Sequence, residues 1–112
     1  MIKKEGKGNE ALVHYREALA INPGDAALRN NIGALLRDRG MLDEAMDHLS
    51  VALKLNPGLA DAHFNMGLVL MAKGRAGEAV VHFREVLRLS PNDREAFLQW
   101  SVARSLEDGS NR

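Results

Sequence analysis

Residues 60–93 read ADAHFNMGLVLMAKGRAGEAVVHFREVLRLSPND, and residues 26–59 read AALRNNIGALLRDRGMLDEAMDHLSVALKLNPGL. Both segments are 34 residues long, and each ends near a proline, Pro91 or Pro57. A third proline, Pro23, stands 34 residues before Pro57. A fixed period of this length is the signature of a repeat array, so this period decides the fold.

At five further positions of the 34-residue period the same residue type occurs in three successive copies. Each such set of three is called a column below. They are Gly6, Gly40 and Gly74; Glu10, Glu44 and Glu78; Ala11, Ala45 and Ala79; His14, His48 and His82; and Leu19, Leu53 and Leu87. The prolines mark helix ends, and Asp25 and Asp93 stand where an N-cap is needed. The glycines of the first column are predicted to end helices with positive φ, Gly6 included.

Apolar residues recur at helical spacing in two stretches of each period. This pattern predicts helices over 9–21, 25–39, 43–55, 59–73, 77–89 and 93–107, and no strands. Short turns force consecutive helices to be antiparallel, so the chain is predicted to be one all-α domain of stacked hairpins, an α-solenoid. Gly33 and Gly67 are expected where two helices cross closely, with Leu49 and Phe83 filling the space beside them.

Composition excludes several classes of function. The chain has 112 residues, with 15 basic and 15 acidic side chains, so no global charge attracts nucleic acid or a membrane surface. Cysteine is absent, which excludes disulfide scaffolds and thiolate zinc sites. The sequence carries no apolar signal region and no stretch long enough to span a membrane, so a cytoplasmic location is the default expectation.

No pattern in the chain predicts catalysis or a cofactor. Nucleophile elbows, phosphate-binding loops and paired-histidine helix motifs are absent from the sequence. The glutamate column lies at predicted helix starts, where the helix dipole explains it. The histidine column places its members at least ~8–10 Å apart, too far to share one metal ion. These three histidines are predicted to titrate together near pH 6.

The 34-residue pattern resembles the tetratricopeptide repeat. The positions that carry the resemblance are Ile32, Gly33, Leu36, Gly40, Ala45, Leu49, Ala52 and Pro57, then Met66, Gly67, Leu70, Gly74, Ala79, Phe83, Val86 and Pro91. The resemblance implies a right-handed superhelix with a half-repeat at 1–25, repeats at 26–59 and 60–93, and a capping helix and tail at 94–112. Phe97 and Trp100 take packing positions in that last helix, while Arg29 and His63 replace the family's tryptophan.

The resemblance also implies a concave groove that binds a peptide or helix of a partner protein. The groove residues carried over are Asn30, Asn31, Arg37, Asp61, Phe64, Asn65, Leu68, Met71, Glu95, Leu98, Gln99 and Val102. Asn31 and Asn65, with Gln99 beyond them, form an amide ladder. At the two asparagines the chain resembles the sugar transferases that modify serine and threonine, where amides pair with peptide backbone. Phe64, Leu68, Met71, Leu98 and Val102 form an apolar patch, which is typical of an interaction site.

The charges in this groove indicate the chemistry of the partner. The family's clamp for a C-terminal carboxylate is not matched, because Asp61 would repel such a ligand. Asp61 and Glu95 favour a basic or neutral segment with apolar anchors. Three alternatives stay open: a targeting or spacer module of a larger protein, a small-molecule site among the groove amides, and a weak homodimer. The dimer would form through the N-terminal end, where Ile2, Leu12, Tyr15 and Leu19 have no preceding repeat to cover them.

Overall fold

The computed structural model describes the backbone of residues 2–110 and the side chains of residues 9–109. Over that range the chain forms six α-helices and no strand, as predicted. They are α1 (Ile2–Ile21), α2 (Ala26–Asp38), α3 (Leu42–Leu55), α4 (Ala60–Ala72), α5 (Ala76–Leu89) and α6 (Arg94–Ser110). None of these helices combines the length and the apolar character that a membrane span requires.

The two outer helices are longer than the sequence pattern predicts. α1 begins at Ile2 rather than at residue 9, so Gly6 lies inside a helix and the prediction that it ends one is wrong. α1 contains Gly6 and Gly8, but each glycine costs a helix only about 1 kcal/mol, and no proline follows them before Pro23. Glu10 therefore lies within α1, where the dipole of a helix N-terminus does not explain it. α6 continues to Ser110 for the same reason, through Gly109.

The turns follow the predicted chemistry. The backbone N–H of Leu28 donates to Asp25 Oδ1 over 3.1 Å, and the N–H of Ala96 donates to Asp93 Oδ1 over 3.0 Å. Gly40 and Gly74 have φ values of 78° and 76°, the left-handed conformation that favours glycine. Both carboxylate caps and both glycine turns are thus confirmed.

The first compact unit comprises α1 to α3. Its core lies between α2 and α3, and α1 packs on α2 with Leu12 buried. A Cβ atom added to Gly33 would lie 2.6 Å from Leu49 Cγ. Since Leu49 is itself fully buried, the predicted close crossing at Gly33 is confirmed.

The second compact unit comprises α4 to α6, with α5 packed against both of its neighbours. Gly67 repeats the close crossing, because an added Cβ would lie 2.5 Å from Phe83 Cε1. α6 contributes Ala96 and Ala103 to the buried core. The predicted packing role of Phe97 is wrong: its side chain is 53% exposed, because small alanines and not this ring form the buried stripe of α6.

Candidate functional site

One face of α4 carries five of the residues predicted for the groove. Asp61, Phe64, Leu68 and Met71 recur every three or four positions, and Asn65 lies four after Asp61 and three before Leu68, which places all five on one side of a helix. Asp61 is exposed and the other four are half-buried. The Phe64 ring lies 5.7 Å from the ring of Phe83, centroid to centroid. Phe64 therefore contacts the core through Phe83 and keeps part of its side chain at the surface.

The same compact unit carries four more predicted residues on α6. Glu95, Leu98 and Val102 are exposed, and Gln99 is half-buried. Leu98 is 64% exposed, the highest value of any large apolar residue in this unit. Together with the five residues of α4, these four residues are called the α4–α6 surface below.

A cavity of about 170 Å³ joins the two helices, and it is called the acidic cavity below. Asp61 and Phe64 from α4 line it together with Glu95 from α6. Ser90 and Asp93, which the groove prediction missed, line it from the turn between α5 and α6. Three carboxylates beside a phenyl ring suit a cation on an apolar stem, such as a lysine or arginine side chain.

A second cavity of about 430 Å³ adjoins the first, since Asp93 lines both. Its other lining residues are Pro91, Asn92, Arg94, Phe97 and Leu98. Only Leu98 was predicted from the sequence. The Pro91 turn is the signal that points to this region, because loops held by rigid helices are where binding residues concentrate.

The three predicted residues of α2 present much less to a partner. Asn30 is only 7% exposed, so its side chain is part of the interior and not of an open surface. Asn31 is exposed. The guanidinium of Arg37 donates from Nε and Nη2 to Asp38 Oδ1, over 3.2 and 2.8 Å, so its charge is already paired.

The histidines occupy three different environments. Nδ1 of His82 lies 3.1 Å from Nδ1 of His63, Nδ1 of His48 lies 3.4 Å from Nη1 of Arg29, and His14 is exposed beside Glu17. Burial, followed by the charge of Arg29, lowers the pKa of His48 from 6.5. Burial, followed by the charge of His63, lowers the pKa of His82. The two shifts have the same direction but different neighbouring charges as a cause, and common titration of the column near pH 6 stays a prediction.

No group of three or more potential metal ligands comes together among the side chains of residues 9–109. Sequence reasoning missed that side chains 19 positions apart lie side by side on neighbouring helices. The two pairs are Arg29 with His48 and His63 with His82. The signal for this pairing was present, because Arg29 and His63 are the two positions where the family's tryptophan is replaced.

Comparison with known families gives three matches along the chain. A model described as "TPR repeat" matches residues 33–74, and two described as "Tetratricopeptide repeat" match residues 14–47 and 60–93. Human "Protein O-mannosyl-transferase TMTC1" is 46% identical over 37 residues, which are 33% of this chain. The match spans only 4% of the length of that relative.

Solved structures of the same architecture cover nearly the whole chain. The first TPR of Spaghetti (RPAP3), bound to the HSP90 peptide SRMEEVD, has a TM-score of 0.86 at 23% identity, covering 99% of this chain and 86% of that one. The second TPR domain of human RPAP3, in complex with an HSP70 peptide, has a TM-score of 0.81 at 25% identity, covering 92% and 86%. Likeness at this level of identity concerns the fold.

Proposed function

Because the chain belongs to the tetratricopeptide repeat family, whose domains are generally non-catalytic interaction modules, we propose that it binds a peptide or helix of a partner protein on the α4–α6 surface. The all-α fold of this family is confirmed. The observation that carries the proposal is the acidic cavity, which Asp61, Phe64 and Glu95 line. It shares Asp93 with the cavity that the exposed Leu98 lines.

The proposed partner segment is basic or neutral and carries apolar anchors. A lysine or arginine of the partner enters the acidic cavity, where its charge meets carboxylates and its stem meets Phe64. Apolar side chains of the segment cover Leu98 and Val102, which are both more than half exposed. Removing such area from water contributes about 25 cal/mol per Å².

The charge preference distinguishes this chain from the RPAP3 domain described above. The peptide SRMEEVD, which that domain binds, contains two glutamates and one aspartate. Asp61 and Glu95 of this chain would repel those carboxylates. We therefore expect this chain to bind basic peptides in preference to acidic ones such as SRMEEVD.

A matched peptide pair tests the charge preference. The affinity of the full chain is measured by fluorescence anisotropy for SRMEEVD and for the same peptide with its three acidic residues replaced by lysine. We expect tighter binding of the lysine peptide at low salt, and a loss of about fivefold in the Asp61→Asn, Glu95→Gln double variant. Asp38→Asn, Glu17→Gln is the control, since both of these acids lie in the other unit. Equal affinity for the two peptides would contradict the charge assignment.

The apolar half of the site has its own test. A displayed peptide library selected on the chain should yield segments with a basic residue and spaced large apolar residues. Leu98→Ser, Val102→Ser should abolish this enrichment while circular dichroism stays unchanged, because both side chains are exposed. Val81→Ser, an equally exposed apolar position on α5, is the matched control. Unchanged enrichment in the double variant would remove α6 from the site.

A second proposal is that the whole chain serves as a targeting or spacer module in a larger protein. The match to the human mannosyl-transferase supports it, since there a segment of 37 residues belongs to a much longer chain. Attaching the chain to a reporter enzyme and measuring its localisation and activity tests the idea. A module of this kind redirects the reporter through its partner without changing the reporter's turnover.

A further inference from the structure

The helices α4 and α5 form a hairpin, called the second hairpin below, in which His63 on α4 faces His82 on α5. Their Nδ1 atoms are 3.1 Å apart, and their ring centroids are 5.3 Å apart with the planes tilted by 37°. We propose that these two histidines form a chelate for a divalent transition-metal ion of the nickel, copper or zinc class. This site is separate from the α4–α6 surface and does not depend on the proposed function.

The separation of the two nitrogen atoms fits coordination of one ion. Imidazole nitrogens bind zinc at about 2.0–2.1 Å, so two ligands at a tetrahedral ion stand about 3.3 Å apart. Two ligands at right angles, as in a square or octahedral site, stand about 2.9 Å apart. The observed 3.1 Å lies between these values. The centroid distance of 5.3 Å shows that the two nitrogens point nearly at each other, so both rings must turn to direct their lone pairs at one ion.

Two ion pairs stand near the histidines. Glu78 and Glu85 on α5 both interact electrostatically with His82, and Glu85 interacts also with His63. Each carboxylate is held by an arginine, Glu78 by Arg75 over 2.6 Å and Glu85 by Arg88 over 2.8 Å. Because each carboxylate is already paired with an arginine, the two imidazoles alone supply the protein ligands. Both rings are half-buried, so the ion keeps water at its other positions and exchanges with solvent.

The hairpin of α2 and α3, called the first hairpin here, supplies an internal control. It has the same 19-residue pairing, but Arg29 replaces the first histidine and lies 3.4 Å from His48. A guanidinium donates and never ligates a metal. The chelate is thus predicted for the second hairpin alone, and Arg29→His is predicted to create a second one.

The experiment titrates the full chain with NiCl₂ and, separately, ZnCl₂ by calorimetry in a non-chelating buffer near pH 7.5. Imidazole resonances in NMR spectra identify the ligands without any mutation. We expect saturable binding that shifts the His63 and His82 signals and raises Tm. Affinity should fall at least about tenfold in His63→Asn and in His82→Asn. His14→Asn and His48→Asn should bind as the parent chain does, and Arg29→His should double the stoichiometry.

Each result decides the matter. Binding with unchanged affinity in both His63→Asn and His82→Asn would overturn the proposal, as would the absence of binding at millimolar metal. Metal-dependent shifts confined to the exposed His14 would also overturn it. Should a variant lose its helical circular dichroism, the signals of the parent chain still report whether His63 and His82 ligate the ion.

Discussion

Nη1 of Arg29 lies 3.4 Å from Nδ1 of His48, between α2 and α3 of the first unit. Because a guanidinium can only donate, this contact requires His48 to be neutral with its proton on Nε2. The carboxylates of Asp47 and Glu44 favour the charged ring, but burial, Arg29 and Arg16 outweigh them and keep the pKa of His48 lowered. Protonation of His48 therefore opposes the folded state.

This contact predicts that acid destabilises the chain. A histidine whose pKa is lowered by folding contributes stability that is fully present above the unfolded value of about 6.5 and is lost as pH falls below it. We expect Tm to fall between pH 7 and pH 5, and the fall to be shallower in His48→Gln. His14→Gln, at an exposed position, is the control. A His48→Gln variant as acid-sensitive as the parent chain would show that His48 does not carry the effect.

The crossing at Gly67 predicts an unusual cost for a single methyl group. An added Cβ would lie within 3 Å of three atoms of the Phe83 ring, which is fully buried. We expect Gly67→Ala to lower the free energy of unfolding by about 1–3 kcal/mol through overpacking. Gly109→Ala is the matched control, because nothing lies within 4 Å of its Cβ and alanine is the better helix former. Urea unfolding in which both variants gain stability would refute the close approach.

Removing either of the two carboxylate caps is predicted to lower the free energy of unfolding by the same amount, independently of the other. Asp25→Ala removes the acceptor for the Leu28 N–H, and Asp93→Ala removes the acceptor for the Ala96 N–H. Each loss should cost about 1 kcal/mol. Asp25→Ser and Asp93→Ser should restore most of it, since serine also caps. Failure of serine to rescue Asp93→Ala would indicate that the charge of Asp93, and not its hydrogen bond, stabilises the fold.

Self-association through the N-terminal end stays a prediction. Leu12 is only 8% exposed and Tyr15 and Leu19 are half-buried, so less apolar surface remains there than the sequence suggested. The side chain of Ile2 lies outside the described residues. We expect a weak homodimer, detected by sedimentation only at the highest concentrations and lost in Leu19→Lys. Identical sedimentation of both chains over a hundredfold concentration range would exclude a contact through this end.

The repeat period alone predicts most of the fold, because proline, glycine and aspartate act locally. Asp93 caps the helix that follows it through a residue three positions away, and Gly74 adopts positive φ in the turn between α4 and α5. Gly6 fails as a marker because glycine ends a helix only where the following residues leave the helical path. Local signals of this kind transfer directly from sequence to structure.

The candidate site is less predictable, because it depends on distances between helices. The spacing on α4 correctly places Asp61 at the surface, yet it does not show that Ser90 completes the acidic cavity. Asn30 and Asn31 are neighbours of the same type, and only packing decides that Asn30 is buried. The His63 and His82 pair likewise emerges only when two helices are brought together.

Trp100 is the chain's single tryptophan and Tyr15 its single tyrosine, and they belong to different compact units. The Trp100 indole is half-buried, its Nε1 has no hydrogen-bond partner, and the Arg104 guanidinium lies 5.4 Å from the ring centroid. Its emission therefore responds to changes in the second unit, while Tyr15 absorbance responds to the first. Repeat proteins unfold as coupled neighbouring elements. Each compact unit of this chain carries its own intrinsic optical label for following its unfolding. Comparison of the two unfolding curves gives the cooperativity between the halves without an added fluorophore.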